Sequence, residues 1–301
     1  VAILLCGGAV LLLASQAGLP APSRAGRGGE KRPVAPLADP SANLRPEGPA
    51  SDGPTRGWSD AFALQGVDGE AFAAIEFEGE LVVGGDFTEA GRSVVRNLAR
   101  FDGAEWLPMG PGIEGTIRAL CIHDGHLYAG GDRESAGNDP EPFVEVWNGT
   151  EWTPVGPGPG IESDLPGGGA IYALASYGGR LFAGGRFDRA GGFPAASLAS
   201  WDGAAWSPLE APREGDPVTV FTLGTYREKL AVGGRFSLAG GRSAGIALWT
   251  DPGWEPLGEG LPGDVRAVVA EGDSLFAGGR FSAAGIPGLS GVAKWDGTTW
   301  S

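Results

Sequence analysis

Leu181-Phe182-Ala183-Gly184-Gly185, followed by Trp201-Asp202-Gly203-Ala204-Ala205-Trp206, is the stretch that decides the fold. Both words recur in fixed order. Gly-Gly pairs stand at 84–85, 130–131, 184–185, 233–234 and 278–279. Each is followed by a version of the second word: Phe101-Asp102-Gly103-Ala104-Glu105-Trp106, Trp147-Asn148-Gly149-Thr150-Glu151-Trp152, Trp249-Thr250-Asp251-Pro252-Gly253-Trp254 and Trp295-Asp296-Gly297-Thr298-Thr299-Trp300. Five copies of an ordered pair of words define a repeat array.

Within one copy, four short apolar runs are separated by turn signals. In the third copy these are Ile171–Ser176, Arg180–Ala183, Ser197–Trp201 and the run carrying Trp206, which stops at Pro208. The spacing predicts a four-stranded antiparallel meander. Asp202-Gly203 predicts a two-residue type I′ turn, because both residues tolerate positive φ. One meander cannot bury both faces, yet runs such as Leu81-Val82-Val83 and Leu120-Cys121-Ile122 are apolar on both. Stacking the units radially solves this, so an all-β propeller of four-stranded antiparallel blades is expected, with five repeat units visible. An extended β-solenoid is the competing architecture. The repeated Gly-Gly predicts either close backbone approach or positive φ.

Composition agrees. The 301 residues include 55 Gly and 24 Pro, a density that rules out a mainly helical protein. With 42% hydrophobic residues and 10 Trp, the chain is also too apolar for general disorder.

Three regions follow. Residues 1–17 read as a secretory signal that lacks a basic n-region: Val1–Ala14 is uncharged, and Ser15 and Ala17 fit a cleavage site after Ala17. Residues 18–57, rich in Pro, Ala, Gly, Ser and Arg, read as a disordered tether. Residues 58–301 are the repeat domain. Trp58–Gly66 resembles a fourth strand without its three partners, and two readings stay open: ring closure, or a fragment of a longer array. The expected location is extracellular, periplasmic or at the cell surface. No transmembrane span is expected in the mature chain, and a monomer is expected.

The formal net charge is −15. Six basic and four acidic residues lie in 18–57. That leaves 16 basic and 33 acidic residues, net −17, in the repeat domain (22 less six, 37 less four). Such a domain repels phosphate backbones, so no nucleic acid is expected as partner.

The unit Leu-[Tyr/Phe]-Ala-Gly-Gly-x-Phe-x-x-Ala-Gly with Trp-Asp-Gly-x-x-Trp resembles the Kelch and galactose-oxidase-like propeller repeats. It is similar still more closely to repeats of secreted bacterial propeller proteins and of fungal cortical polarity-marker proteins. The resemblance covers residues 58–300. It implies a propeller fold and a lectin-like or adhesion-type surface role as readily as oxidase chemistry, because fold alone does not fix function.

A copper oxidase site would require a Tyr–Cys pair and two His. His123 and His126 are the only histidines and flank the turn Asp124-Gly125, which makes them polar hairpin residues. Cys121 occupies a strand position that is apolar elsewhere (Ala175, Val269), as a small hydrophobe does. No Asp-x-Asp-x-Asp-Gly loop is present, and Asp102, Asp202 and Asp296 are explained by turn geometry. Asn148-Gly149-Thr150 matches a glycosylation sequon in the same turn position. No catalytic, metal or cofactor residue is assigned, and no cofactor is expected. Glu134, Asp139 and Glu141, with Glu162 and Asp164, keep one alternative open: a carbohydrate-active enzyme with paired loop carboxylates.

The expected function is therefore a secreted or cell-surface, non-catalytic propeller that binds a protein or glycan ligand. In a meander the strand 1–2 and 3–4 turns share one face, and the 2–3 and 4–1 loops share the other. The second set carries the length variation, at Pro154–Gly169 and Pro208–Pro217, and binding usually resides in such loops. The residue after each Gly-Gly lies toward that face: Asp86, Asp132, Arg186, Arg235 and Arg280. The three arginines would form a positive arc for an anionic partner, held through planar guanidinium forks.

Overall fold

A computed structural model describes residues 2–6, 9–13, 66–134, 139–209, 218–238, 244–251, 253–282 and 290–301. The expected tether, most of the expected strand Trp58–Gly66 and the stretch from 210 to 217 lie outside them. Within the leader, Ala2–Cys6 and Ala9–Leu13 pair as an antiparallel hairpin.

The described residues contain no helix. Five sheets make the blades, four of them with four antiparallel strands in meander order and the fifth with three, and the remaining sheets are small ones of two or three strands. The first strands of the five blades are Glu70–Phe77, Thr116–His123, Ala170–Tyr177, Thr219–Tyr226 and Gly263–Glu271. The second strands carry the Gly-Gly pairs, as in Arg180–Arg186. In blade five the fourth strand begins at Trp300, which bridges Trp295, while Lys294 and Ser301 exchange both backbone hydrogen bonds at 2.8 Å. Each first strand contacts the first strand of the next blade, so these strands form the inner layer of a propeller.

The two glycines of each pair have different causes. A Cβ on the first would strike the next blade: at Gly84 it would lie 2.6 Å from Cγ2 of Ile117, and at Gly130 2.8 Å from Cγ2 of Ile171. A Cβ on the second would strike its own blade, 1.9 Å from the Glu70 carbonyl at Gly85 and 2.1 Å from the Ala170 carbonyl at Gly185. None of these glycines has positive φ. Close approach is therefore the cause.

The apolar cores lie in the joints between blades. Leu98, Leu198 and Ile246 occupy one position on the third strand, opposite the first glycine, and are fully buried by the following blade. Val292 holds the same position in blade five and is 66% exposed, and a Cβ on Gly278 would meet nothing closer than 3.8 Å. Burying such a side chain is worth about 1.5–3 kcal/mol, so every joint repeats a sizeable contribution that the last face lacks.

The Asp-Gly words do not form type I′ turns. Trp201 pairs with Trp206, which makes Asp202–Ala205 a four-residue loop in which only Gly203 has positive φ. Oδ1 of Asp202 accepts hydrogen bonds from the backbone N–H of Ala204 and Ala205, both at 2.9 Å. Those short-range bonds hold the carboxylate below its ordinary range, led by the one from Ala205. Asn148 caps its own loop in the same way, with bonds of 2.9 Å from Thr150 and Glu151. The I′ geometry belongs instead to the strand 1–2 turns, such as Glu78-Gly79 and Asp124-Gly125, where both central residues have positive φ.

Candidate functional site

Every first strand carries a β-bulge at the same place. Pairing skips Phe72, Arg118, Tyr172, Phe221 and Arg266 in blades one to five. The second glycine of the facing pair makes room for this extra residue, since any side chain there would strike the backbone just before the bulge. All five bulged residues keep solvent access, whereas Ile117, Ile171, Val220 and Val265, immediately before four of them, are fully buried.

The five form one contact series across the blades. The Arg118 guanidinium lies 5.4 Å from the Phe72 ring centre and 5.7 Å from that of Tyr172. Tyr172 and Phe221 are 5.7 Å apart and tilted, and the Arg266 guanidinium lies 4.7 Å from the Phe221 ring. A cation over an aromatic face is held by the ring quadrupole. The result is an arc of ring, guanidinium, ring, ring and guanidinium on the inner strands.

The residues after Gly-Gly stand beside this arc. Asp86 is paired with Glu70, Asp132 with Thr116, Arg186 with Ala170, Arg235 with Thr219 and Arg280 with Asp264. All five therefore share the level at which the first strands begin, on the face of the 2–3 and 4–1 loops. Their side chains are engaged differently. Asp132 accepts from Nε of Arg118. Arg186 donates to the carbonyls of Pro166 at 2.6 Å, Gly167 at 3.1 Å and Gly168, fastening the long loop before its own blade. Arg235 forks onto Asp264 of the next blade with two bonds of 2.7 Å, and Arg266 adds a third at 3.1 Å. The hydrogen bond from Arg235, more than any other influence, holds the Asp264 carboxyl below its ordinary range. Asp86 and Arg280 are exposed.

His123 corrects the sequence reading of a polar hairpin residue. It is buried at 4% exposure, with Nδ1 2.9 Å from Oγ of Ser176 in the next blade and Nε2 3.7 Å from Asp124. A serine, a histidine and an aspartate in reach suggest a hydrolase, but the repeat explains the position. Tyr177 and Tyr226 end the next two first strands and donate to the following blade's carbonyls, Glu228 at 2.9 Å and Asp273 at 2.8 Å. His123 holds the same strand-end position and likewise ties its blade to the next, to the Ser176 hydroxyl rather than to a backbone carbonyl. Asp124 is 79% exposed and belongs to the turn. His126 is exposed and its Nδ1 lies 2.9 Å from the Asp124 carbonyl, as a hairpin residue's does.

Cys121 is buried with a free thiol, pushed up to about 11 by desolvation. Among the described residues, no group of three or more His, Cys, Asp or Glu side chains is placed to hold a metal ion. Of the loop carboxylates, Glu162 pairs with Arg189 at 3.5 Å. A cleft of about 510 Å³ opens on the opposite face between blades one and two, lined by Glu78, Met109, His126 and Trp147, with the Glu80–Arg100 ion pair (3.0 Å) in its wall. Among the described residues no helix is long and apolar enough to cross a membrane.

The bulged arc was missed by sequence reasoning, though a signal for it exists. In each copy an aromatic residue or arginine precedes a small one: Phe72-Ala73, Arg118-Ala119, Tyr172-Ala173, Phe221-Thr222 and Arg266-Ala267. No protein-family model matches the chain, and no curated protein matches its sequence.

Proposed function

We propose that this chain is a non-catalytic binding propeller of the Kelch-like repeat class, exported and displayed at or beyond the cell surface, that docks a protein or glycan on its bulge-bearing face. The observation that carries this reading is the arc itself. The repeated backbone fixes one position in five blades, and the side chains placed there are large, part-exposed and in mutual contact. Aromatic and Arg side chains of this kind dominate recognition surfaces. The polar clusters elsewhere on the described face-to-face joints, such as His123 with Ser176, are occupied in holding blades together. Export is supported by the uncharged run Val1–Ala14 and its small-residue cleavage pattern.

The test is a glycan array and a pull-down with purified protein, repeated with a Tyr172→Ala, Phe221→Ala variant and with an Arg186→Ala, Arg235→Ala, Arg280→Ala variant. Loss of captured ligand in the first variant is expected. Retention of ligand by both variants would place binding elsewhere. Turnover of a captured glycan would move the protein to the carbohydrate-active enzymes.

A further inference from the structure

We infer that the ligand of the bulged arc is a carboxylate-bearing polysaccharide, a polyuronate-type chain whose sugar rings lie on Phe72, Tyr172 and Phe221 and whose carboxylates meet Arg118 and Arg266. The inference rests on the binding reading above and adds the chemistry of the ligand.

Three observations carry it. The first is a continuous contact series of three apolar rings and two guanidinium groups, with every step between 4.7 and 5.7 Å. A uronate polymer offers a partner to both kinds of group, apolar ring faces and carboxylates. A neutral glycan would use the rings and leave the cations idle.

The second is how the two arginines are held. Asp132 takes Nε of Arg118, and among the described residues the terminal nitrogens Nη1 and Nη2 have no hydrogen-bond partner. Asp264 takes one terminal nitrogen of Arg266, whose side chain stays 49% exposed. Each guanidinium is thus oriented by one carboxylate of the protein and keeps donors in its planar fork for a second, which is the geometry that suits bidentate carboxylate recognition.

The third is the distribution of charge. Around the arc in blades three to five stand Arg186, Arg235, Arg266 and Arg280, with the Asp264 carboxylate among them and Asp188 two residues beyond Arg186, on a chain of net charge −15. The cations gathered there give an anion a local attraction that acts against the net negative charge of the chain.

The experiment is calorimetric titration of the full chain with polygalacturonate and, in parallel, with the same polymer fully methyl-esterified, at low and at physiological salt. Binding of the acid form is expected, weakened by salt and reduced at least about tenfold by esterification, as loss of hydrogen bonds to a charged group requires. An Arg118→Gln, Arg266→Gln variant should lose the acid preference while its melting transition stays cooperative. Because the esterified polymer is tested on the unaltered protein, a misfolded variant does not remove the result. Equal binding of both polymers would overturn the acidic-ligand inference and leave the binding reading standing. Binding of neither polymer would also overturn it. The binding reading itself would then fall only if the glycan array and pull-down were blank as well.

Discussion

Gly184 and Val220 stand in adjacent blades so close together that a Cβ on the glycine would lie 2.4 Å from Cγ1 of the valine. The valine is fully buried by that contact. The same device closes the other three described joints, through Ile117, Ile171 and Val265.

Gly184→Ala should therefore destabilise the domain by about 1–3 kcal/mol, the usual range for overpacking a joint. Gly278→Ala is the internal control. Its Cβ would find ordinary contact distances, and the change should be close to neutral. Denaturant unfolding of the two variants reads the difference, and equal losses would refute the joint as described.

Acid should weaken the joint between blades four and five. Arg235 and Arg266 hold the Asp264 carboxyl below its ordinary 3.8 in the folded chain. A depressed folded value means that the contribution is complete above 3.8 and is lost as pH falls toward the lower folded value. Asp264→Asn should lower the melting temperature at neutral pH and narrow the gap to the parent as pH drops below 4. A gap independent of pH would show that the ion pairs contribute nothing.

Cys121 should be inert while the domain is folded. Its thiol is raised by burial from 9.0 to about 11, and at working pH a two-unit rise leaves about 100-fold less thiolate. In a Cys6→Ser background, a disulfide reagent should react with Cys121 only on unfolding. Prompt reaction in native buffer would contradict its burial.

The strand 1–2 turn of blade four places Arg227 and Glu228 at φ of 47° and 57°, a region that costs L-residues roughly 1–2 kcal/mol each. The corresponding turn of blade three uses Gly178 and Gly179. Glu228→Gly should relieve part of that strain and raise the melting temperature. The bond from Tyr177 to residue 228 runs to a backbone carbonyl and survives the change. A drop in stability would mean that the Glu228 side chain has a role of its own.

Much of this architecture was legible because its determinants are local. Gly184-Gly185 and the flanking apolar runs announce a close approach, and Trp201 with Trp206 marks a tight cross-strand pair, with ring centres 5.8 Å apart. What escaped the sequence depends on register. A bulge is one extra residue on one strand, so Tyr172 reads as another member of an apolar run until its pairing with the second strand is known. The turn type at Asp202 failed for a related reason. Asp-Gly predicts positive φ at both positions, but the side chain of Asp202 supplies the hydrogen bonds itself and only Gly203 needs the unusual backbone. The arginines after Gly-Gly stand where the first strands begin, and the partners of Arg186 and Arg235, the 166–168 carbonyls and Asp264, come from loops and blades that no spacing rule connects to them.

The joint between Gly184 and Val220 has a direction. Blades two to five each carry a glycine hollow on one side and a β-branched plug on the other, both halves of a standard coupling, while blade one has Ala71 at the plug position. Blade two meets blade three with the same fittings that join blade four to blade five. A duplication or deletion of one whole unit therefore preserves every remaining interface, as in arrays held by nearest-neighbour contacts. The number of blades can therefore change without disturbing the remaining joints, and the bulged side chain, which is no part of those fittings, can differ from blade to blade as it does between Tyr172 and Arg266.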